Sequence, residues 1–234
     1  MIRSILALAF WAIVTPAAAL VAFPWTLLTA SAMPTYRAAM WIAFTGIRIA
    51  GIKVEVEGMD RIEPTRAYIF MSNHTSNLDP PLLIPLIPRR TSVLVKKELF
   101  RIPVLAQAMR IGSLVPVDRS HRERAIESLR EAEKVLRAGI SMTIFVEGTR
   151  SWDGQLLPFK KGPFYLAMES GIPVVPITIA GTHELWPKGR RFPRPGTVRV
   201  IFHEPIEPEA VGDRELLMAR VRESIASALP EKVA

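Results

Sequence analysis

The sequence predicts an α/β fold, a largely parallel sheet flanked by helices, preceded by an N-terminal two-helix apolar hairpin. Three observations carry this prediction. Short β-patterned runs recur between Lys53 and Phe202, helical patterns separate them, and the first 50 residues have a different, uncharged texture. Strands alternating with helices favour parallel pairing, because a crossover helix returns the chain to the same sheet edge. The length of 234 residues suits one large domain with an appendage. The expected division is 1–50 for the hairpin and 51–234 for the α/β domain.

The hairpin comes first. Arg3 and Arg37 bound a run of 33 residues without a charge. A straight helix of that length would extend about 50 Å, against a hydrocarbon core of about 30 Å. Pro16, Pro24 and Pro34 punctuate the run and can kink or end helices. A second apolar stretch, Ala38 to Ile47, follows. The expectation is therefore two helical segments joined by a turn, either dipping into one leaflet or forming one span with an interfacial partner. Trp11, Phe23, Trp25, Tyr36 and Trp41 are suited to an interface. A cleaved secretory signal, ending near Ala17-Ala18-Ala19, and a buried core helix pair are the competing readings.

The α/β region follows from local pattern. Lys53 to Glu57 alternates as a half-buried strand does, whereas Ala67–Met71 and Thr91–Val95 read as strands buried on both faces. Ser120 to Arg137 is amphipathic, with Ala125, Leu129, Ala132, Val135 and Leu136 on one face and Gly139 as a stop. Met142–Val146, Val174–Ala180 and Val198–Phe202 are further strands. Gly162–Ser170 and Gly212–Leu229 are helices. In such folds chemistry sits in the loops beyond the carboxyl ends of strands.

Composition narrows the function. A hydrophobic share of 49% with 22% charged residues argues against wholesale disorder and a polytopic membrane bundle. With no cysteine, disulfides, thiolate zinc sites and a cysteine nucleophile are excluded. The net charge of +8 favours anionic partners. G-x-S-x-G and P-loop patterns are missing, which disfavours a serine hydrolase and a nucleotide triphosphatase. His74, His121, His183 and His203 lack zinc-ligand spacing.

Two loops carry chemistry. After the first buried strand comes Ser72-Asn-His-Thr-Ser-Asn-Leu-Asp79-Pro-Pro81. If this loop folds back, Asp79 accepts a hydrogen bond from one ring nitrogen of His74 and leaves the other as a base. Asp before Pro-Pro also suits a helix N-cap, and the two uses are compatible. After Val146 comes Glu147-Gly-Thr-Arg-Ser151. Gly148 permits a tight turn, and Arg150 offers a fork of donors for phosphate or carboxylate. Lys96-Lys97, Asp118-Arg119 and Lys160-Lys161 recur near element ends, as a shared anion pocket requires.

Together these residues resemble the glycerolipid acyltransferase family, most closely its lysophosphatidic acid acyltransferases. Asn73-His74 through Asp79 is similar to the N-H-x4-D motif. Gly112–Arg119, Phe145–Ser151 and Val175–Ile179 are similar to the second, third and fourth blocks. The resemblance implies the glycerolipid acyltransferase fold and transfer of an acyl group from a thioester to the free sn-2 hydroxyl of lysophosphatidic acid. It implies His74 as base, oriented by Asp79, with no acyl-enzyme. It places Arg119, Glu147, Gly148, Thr149 and Arg150 at the lyso-lipid phosphate region, with Glu147 holding glycerol or a basic neighbour rather than phosphate and Lys96 a further candidate. No cofactor or metal is implied; acyl-CoA or acyl carrier protein would be the co-substrate. The expected setting is the cytoplasmic face of the inner membrane, held by the hairpin, with the basic loop Lys188–Arg194 drawn to anionic headgroups. Other acceptors, namely glycerol 3-phosphate, a lyso-ornithine lipid or another lysophospholipid, remain alternatives. So does a non-catalytic anionic-lipid-binding protein. A nucleic-acid partner is disfavoured, because no reading motif is present.

Overall fold

A computed structural model describes residues 1–118 and 122–230. The chain opens with α1 (Ile2–Thr29) and α2 (Met33–Ile49), antiparallel neighbours joined by a short turn in which Ala30 is left-handed. The expected hairpin is present, but Pro16 and Pro24 lie inside α1 without ending it. A proline removes one backbone donor and the helix resumes on either side. Trp11 locks the two helices together: its Nε1 donates to the Ile42 carbonyl at 3.1 Å and its indole lies on Gly46.

Next come β1 (Ile52–Glu57), β2 (Ile69–Ser72), α3 (Asp79–Leu83), β3 (Thr91–Lys96), α4 (Pro103–Ile111), β4 (Val115–Val117) and α5 (Arg122–Arg137). They are followed by β5 (Ser141–Phe145), α6 (Gly162–Ser170), β6 (Val174–Ala180), α7 (Thr182–Leu185), β7 (Gly196–Phe202), α8 (Pro208–Val211) and α9 (Arg214–Ser227). The expected strands are present within a residue or two. The helix suggested by Asp79-Pro-Pro is present as α3, whereas the sequence reading did not foresee α4, β4 or the short helices α7 and α8. Ser120, at the expected start of α5, lies outside the described residues.

The strands form one sheet in the order β1-β7-β6-β2-β5-β3-β4. Every pair is parallel except β6–β7. The centre is β2, whose Ile69, Phe70, Met71 and Ser72 are all buried. Its period-two alternation sends Phe70 to one core and Ile69 and Met71 to the other. Phe70 packs with Ile177, Val198, Leu82 and, from the hairpin, Ala7 and Ile47. Ile69 and Met71 pack with Leu136, Phe164, Leu217 and Ile225 of α5, α6 and α9. The result is three layers, with the hairpin and α3 on one face of the sheet. Ser4 Oγ donates to the Pro193 carbonyl at 2.6 Å, which ties the start of α1 to the loop before β7. β2 lies between β5 and β6, in register at Ser72 with Phe145 and Ile177. The loops leaving these three parallel strands therefore emerge side by side.

Gly46 allows the close hairpin contact, since a Cβ there would stand 2.1 Å from the Trp11 indole. Gly46→Leu is expected to displace that ring and cost about 1–3 kcal/mol, the usual penalty of overpacking. Thermal unfolding measures it; an unchanged Tm would contradict this packing of the hairpin.

Candidate functional site

The site forms where the loops after β2, β5 and β6 meet. Asn73 begins it. Its side-chain amide donates to the Ile179 carbonyl at 2.9 Å and its oxygen accepts from the Ile179 amide at 2.8 Å, so it mimics a strand residue and fastens the loop to β6. The chain then turns back on itself around Asp79. That carboxylate is fully buried. Oδ2 accepts from the amides of Thr75 and Ser76, each at 2.8 Å, and contacts Nδ1 of His74 at 2.7 Å. Oδ1 accepts from the Thr182 hydroxyl at 2.6 Å.

An ionised carboxylate only accepts, so the His74 proton is assigned to Nδ1 and Nε2 keeps its lone pair. Among the described residues Nε2 has no hydrogen-bond partner. The His74 side chain retains 16% of its exposure, and its ring stacks on Phe145 at 4.3 Å between centroids. A ring fixed on two sides, with one basic nitrogen open, has the geometry of a general base. The Asp79 carboxylate bonds upstream amides and makes no cap hydrogen bond to α3. The loop-folding reading of Asp79 therefore describes the geometry, and the N-cap reading does not.

The loop after β5 is tied to the same segment at three points. Glu147 Oε1 accepts from the His74 amide at 2.6 Å, the Ser151 amide donates to the His74 carbonyl at 3.0 Å, and Arg150 Nη1 donates to Asn77 Oδ1 at 2.5 Å. The other oxygen of Glu147 accepts from the Leu157 amide at 2.7 Å. With 1% exposure and both oxygens bonded to backbone, Glu147 differs from the expectation of a ligand-facing side chain. It joins the histidine loop to the segment that follows. Burial pushes its carboxyl up to about 7; the negative Asp79 adds to the rise, and the two amide hydrogen bonds oppose it.

Gly148 sits at φ +68°, and a Cβ there would press on the Lys160 side chain at 3.1 Å. Gly148, Thr149 and Lys160 line a cavity of about 450 Å³ that Leu94, Leu129, Ile144 and Phe145 complete with apolar wall. Among the described residues no contact joins Lys96 to these loops; its ammonium is 3.7 Å from Glu98. Lys97 pairs with Asp118, and Lys161 with Glu215, which leaves Lys160 as the lysine of these pairs that lines the cavity. Arg119 lies outside the described residues. Among the described residues no group of three or more His, Cys, Asp or Glu is placed to hold a metal ion.

Sequence reading missed Thr182, Thr75 and Ser76. Thr75 donates to Thr182 Oγ1 at 3.0 Å, and Ser76 Oγ donates to the Trp186 carbonyl at 2.7 Å. The available signal was position: Gly181-Thr182 follows the carboxyl end of a buried strand, where such folds place chemistry.

Comparison with known proteins agrees with this arrangement. A family model described as Acyltransferase matches residues 53–180, more than half of the chain. The chain belongs to the acyltransferase family. It is 38% identical over 164 residues to a 1-acyl-sn-glycerol-3-phosphate acyltransferase of Limnanthes alba, covering 70% of this chain and 58% of that protein. It is 32% identical over 185 residues to the alpha form from Mus musculus, covering 77% of this chain and 65% of that protein. The chain thus matches less than two thirds of the length of either relative. Among solved structures it resembles the 1-acyl-sn-glycerophosphate (LPA) acyltransferase PlsC of Thermotoga maritima. The TM-score is 0.78 at 29% identity, and the match covers 99% of both chains.

Two measurements test the geometry of this site. Thr182→Val removes a buried donor to the Asp79 carboxylate and is expected to cost about 1.5–3 kcal/mol, whereas Thr182→Ser keeps the hydroxyl and most of the stability. Equal Tm values for the two variants would contradict the contact.

The second concerns pH. The folded carboxyl of Glu147 titrates above its ordinary 4.5, so its stabilising contribution is complete below that value and is lost as pH rises through about 7. Relative to the non-titrating Glu147→Gln, the wild type is expected to lose up to about 3 kcal/mol over that range. Denaturant unfolding at several pH values measures it. A difference independent of pH would contradict the burial of this group.

Proposed function

We propose that the protein transfers a fatty acyl group from a thioester to the sn-2 hydroxyl of lysophosphatidic acid, giving phosphatidic acid. The observation that carries this reading is the His74–Asp79 contact at 2.7 Å, in a loop that also holds Arg150 through Asn77. A base and an anion-binding fork on two loops joined by hydrogen bonds match an alcohol that stands beside a phosphate.

His74 Nε2 takes the proton of the hydroxyl as its oxygen attacks the thioester carbonyl. The new oxygen–carbon bond forms, the carbon–sulfur bond breaks, and the departing thiolate takes the proton back from the imidazolium. Asp79 steadies the positive ring throughout. The lipid hydroxyl is itself the nucleophile, so no acyl-enzyme is needed. Arg150 and the adjacent Gly148 and Thr149 are proposed to receive the phosphate, with Lys160 close by and Arg119 and Lys96 as further cations. Glu147 is proposed to act on the reaction only through the His74 backbone. The thioester donor is acyl-CoA or acyl carrier protein, and its acyl chain is proposed to enter the cavity behind Phe145.

Residues 1–50 are proposed as the membrane-contacting element and 51–234 as the catalytic domain. α1 is long and apolar enough to cross a membrane by length and composition. Leu20, Leu27 and Leu28 are exposed along it. Its start is fastened to Pro193 and its later turns share a cavity wall with α4, so we read it as lying against the domain within one leaflet. The loop Lys188–Arg194 lies beside that start and adds attraction to anionic headgroups, about 1 kcal/mol per close charge. Attachment at the cytoplasmic face of the inner membrane would bring the site to its thioester.

The test is acyl incorporation by detergent-purified protein offered lysophosphatidate, glycerol 3-phosphate and lyso-ornithine lipid with each thioester donor. Lysophosphatidate is expected to be acylated, and His74→Ala to lower turnover by about 10²–10⁴-fold while lipid binding persists. Incorporation only into an acceptor without phosphate would overturn the reading. So would full turnover by His74→Ala.

A further inference from the structure

Two apolar cavities flank the His74 loop, and the proposed reaction brings together two acyl chains. One cavity lies behind Phe145 inside the α/β domain. The other is a groove of about 630 Å³ between α1, α2 and α4. Its walls are almost wholly apolar: Ala18 and Phe23 on α1, Ala39 and Ile42 on α2, Ile102 and Leu105 beside α4. Short alanine side chains leave the width, and the larger residues close the sides. Such a wall solvates an alkyl chain and offers little to water or a sugar.

The two ends of the groove differ. Asn77, Pro81 and Trp186 line it too. Asn77 is the residue that binds Arg150, and Pro81 stands two residues after Asp79. Elsewhere the groove is bounded by the helices whose outer faces expose Ile13, Leu20, Trp25 and Trp41, together with Ile102 and Leu105. One part therefore touches the catalytic loop, and another belongs to the apolar surface.

We infer that this groove holds the sn-1 acyl chain of the lysophospholipid acceptor. The inference rests on the acyl-transfer reading above. An acceptor seated there keeps its chain among lipid-facing helices while its headgroup reaches Arg150 and its hydroxyl reaches His74. The cavity behind Phe145 is separated from those helices by the sheet, which leaves it to the donor chain.

The experiment uses the full chain in nanodiscs and a lysophosphatidate with a diazirine at the end of its sn-1 chain. Photolysis and peptide mapping are expected to place the label on residues 18–23, 38–43 or Leu105. Label on Leu94, Leu129 or Ile144, or no label, overturns the inference. In parallel, Ala39→Phe and Ala18→Phe, on helices outside the catalytic loop, fill the groove. Each is expected to lower kcat/KM for an oleoyl acceptor at least about tenfold, the loss of roughly two buried methylenes, and to leave a hexanoyl acceptor unaffected. No change with the oleoyl acceptor, an equal loss on both acceptors, or an altered donor-chain preference overturns it. Groove labelling without turnover by the wild type would overturn the acyl-transfer reading and keep the groove. Turnover with label behind Phe145 would do the reverse.

Discussion

A carboxylate withdrawn from water keeps its charge only when donors surround it, and the donors gathered by Asp79 dictate the layout of the site. Two come from the backbone of its own loop, one from a threonine after β6, and one from the His74 ring. Each supplies a constraint. The amides fix the fold-back of residues 74–79, the hydroxyl docks that loop against the start of α7, and the contact with the ring nitrogen sets the tautomer. Removing the side chain would release all three together, so the pair is a structural fastener as much as a chemical device.

The sheet explains why these groups can meet. β5, β2 and β6 are adjacent and parallel. Their outgoing loops therefore share one edge, and side chains far apart in sequence come within hydrogen-bond reach. Glu147 makes the second fastening, holding the His74 amide with one oxygen and the Leu157 amide with the other. Its elevated titration is the cost of burying a negative group close to Asp79. The hairpin completes one layer of the same core through Ala7 and Ile47, so the apolar surface and the site belong to one packed unit.

Much of this was legible in the residues. Alternation and apolar runs marked the strands, because a side-chain period of two survives in any sheet. The His74–Asp79 pair was legible because both partners lie in one short loop. Other features were not. Pro16 and Pro24 suggested interruption of α1, yet helical backbone continues around each ring. Glu147 had the right neighbours for a ligand-binding residue, and sequence does not reveal that its side chain turns inward. Thr182 bonds across 103 residues, a separation that local spacing cannot register. α4 escaped notice because it begins at a proline after a short 3-10 turn over Lys97–Arg101.

Nitrogen-15 NMR of the histidine rings at neutral pH tests the central claim most directly, with the His74 signals assigned by substitution. The account predicts a protonated Nδ1 coupled to the Asp79 carboxylate and an unprotonated, pyridine-like Nε2. A neutral ring protonated at Nε2 would leave no lone pair to accept the substrate proton and would contradict the account.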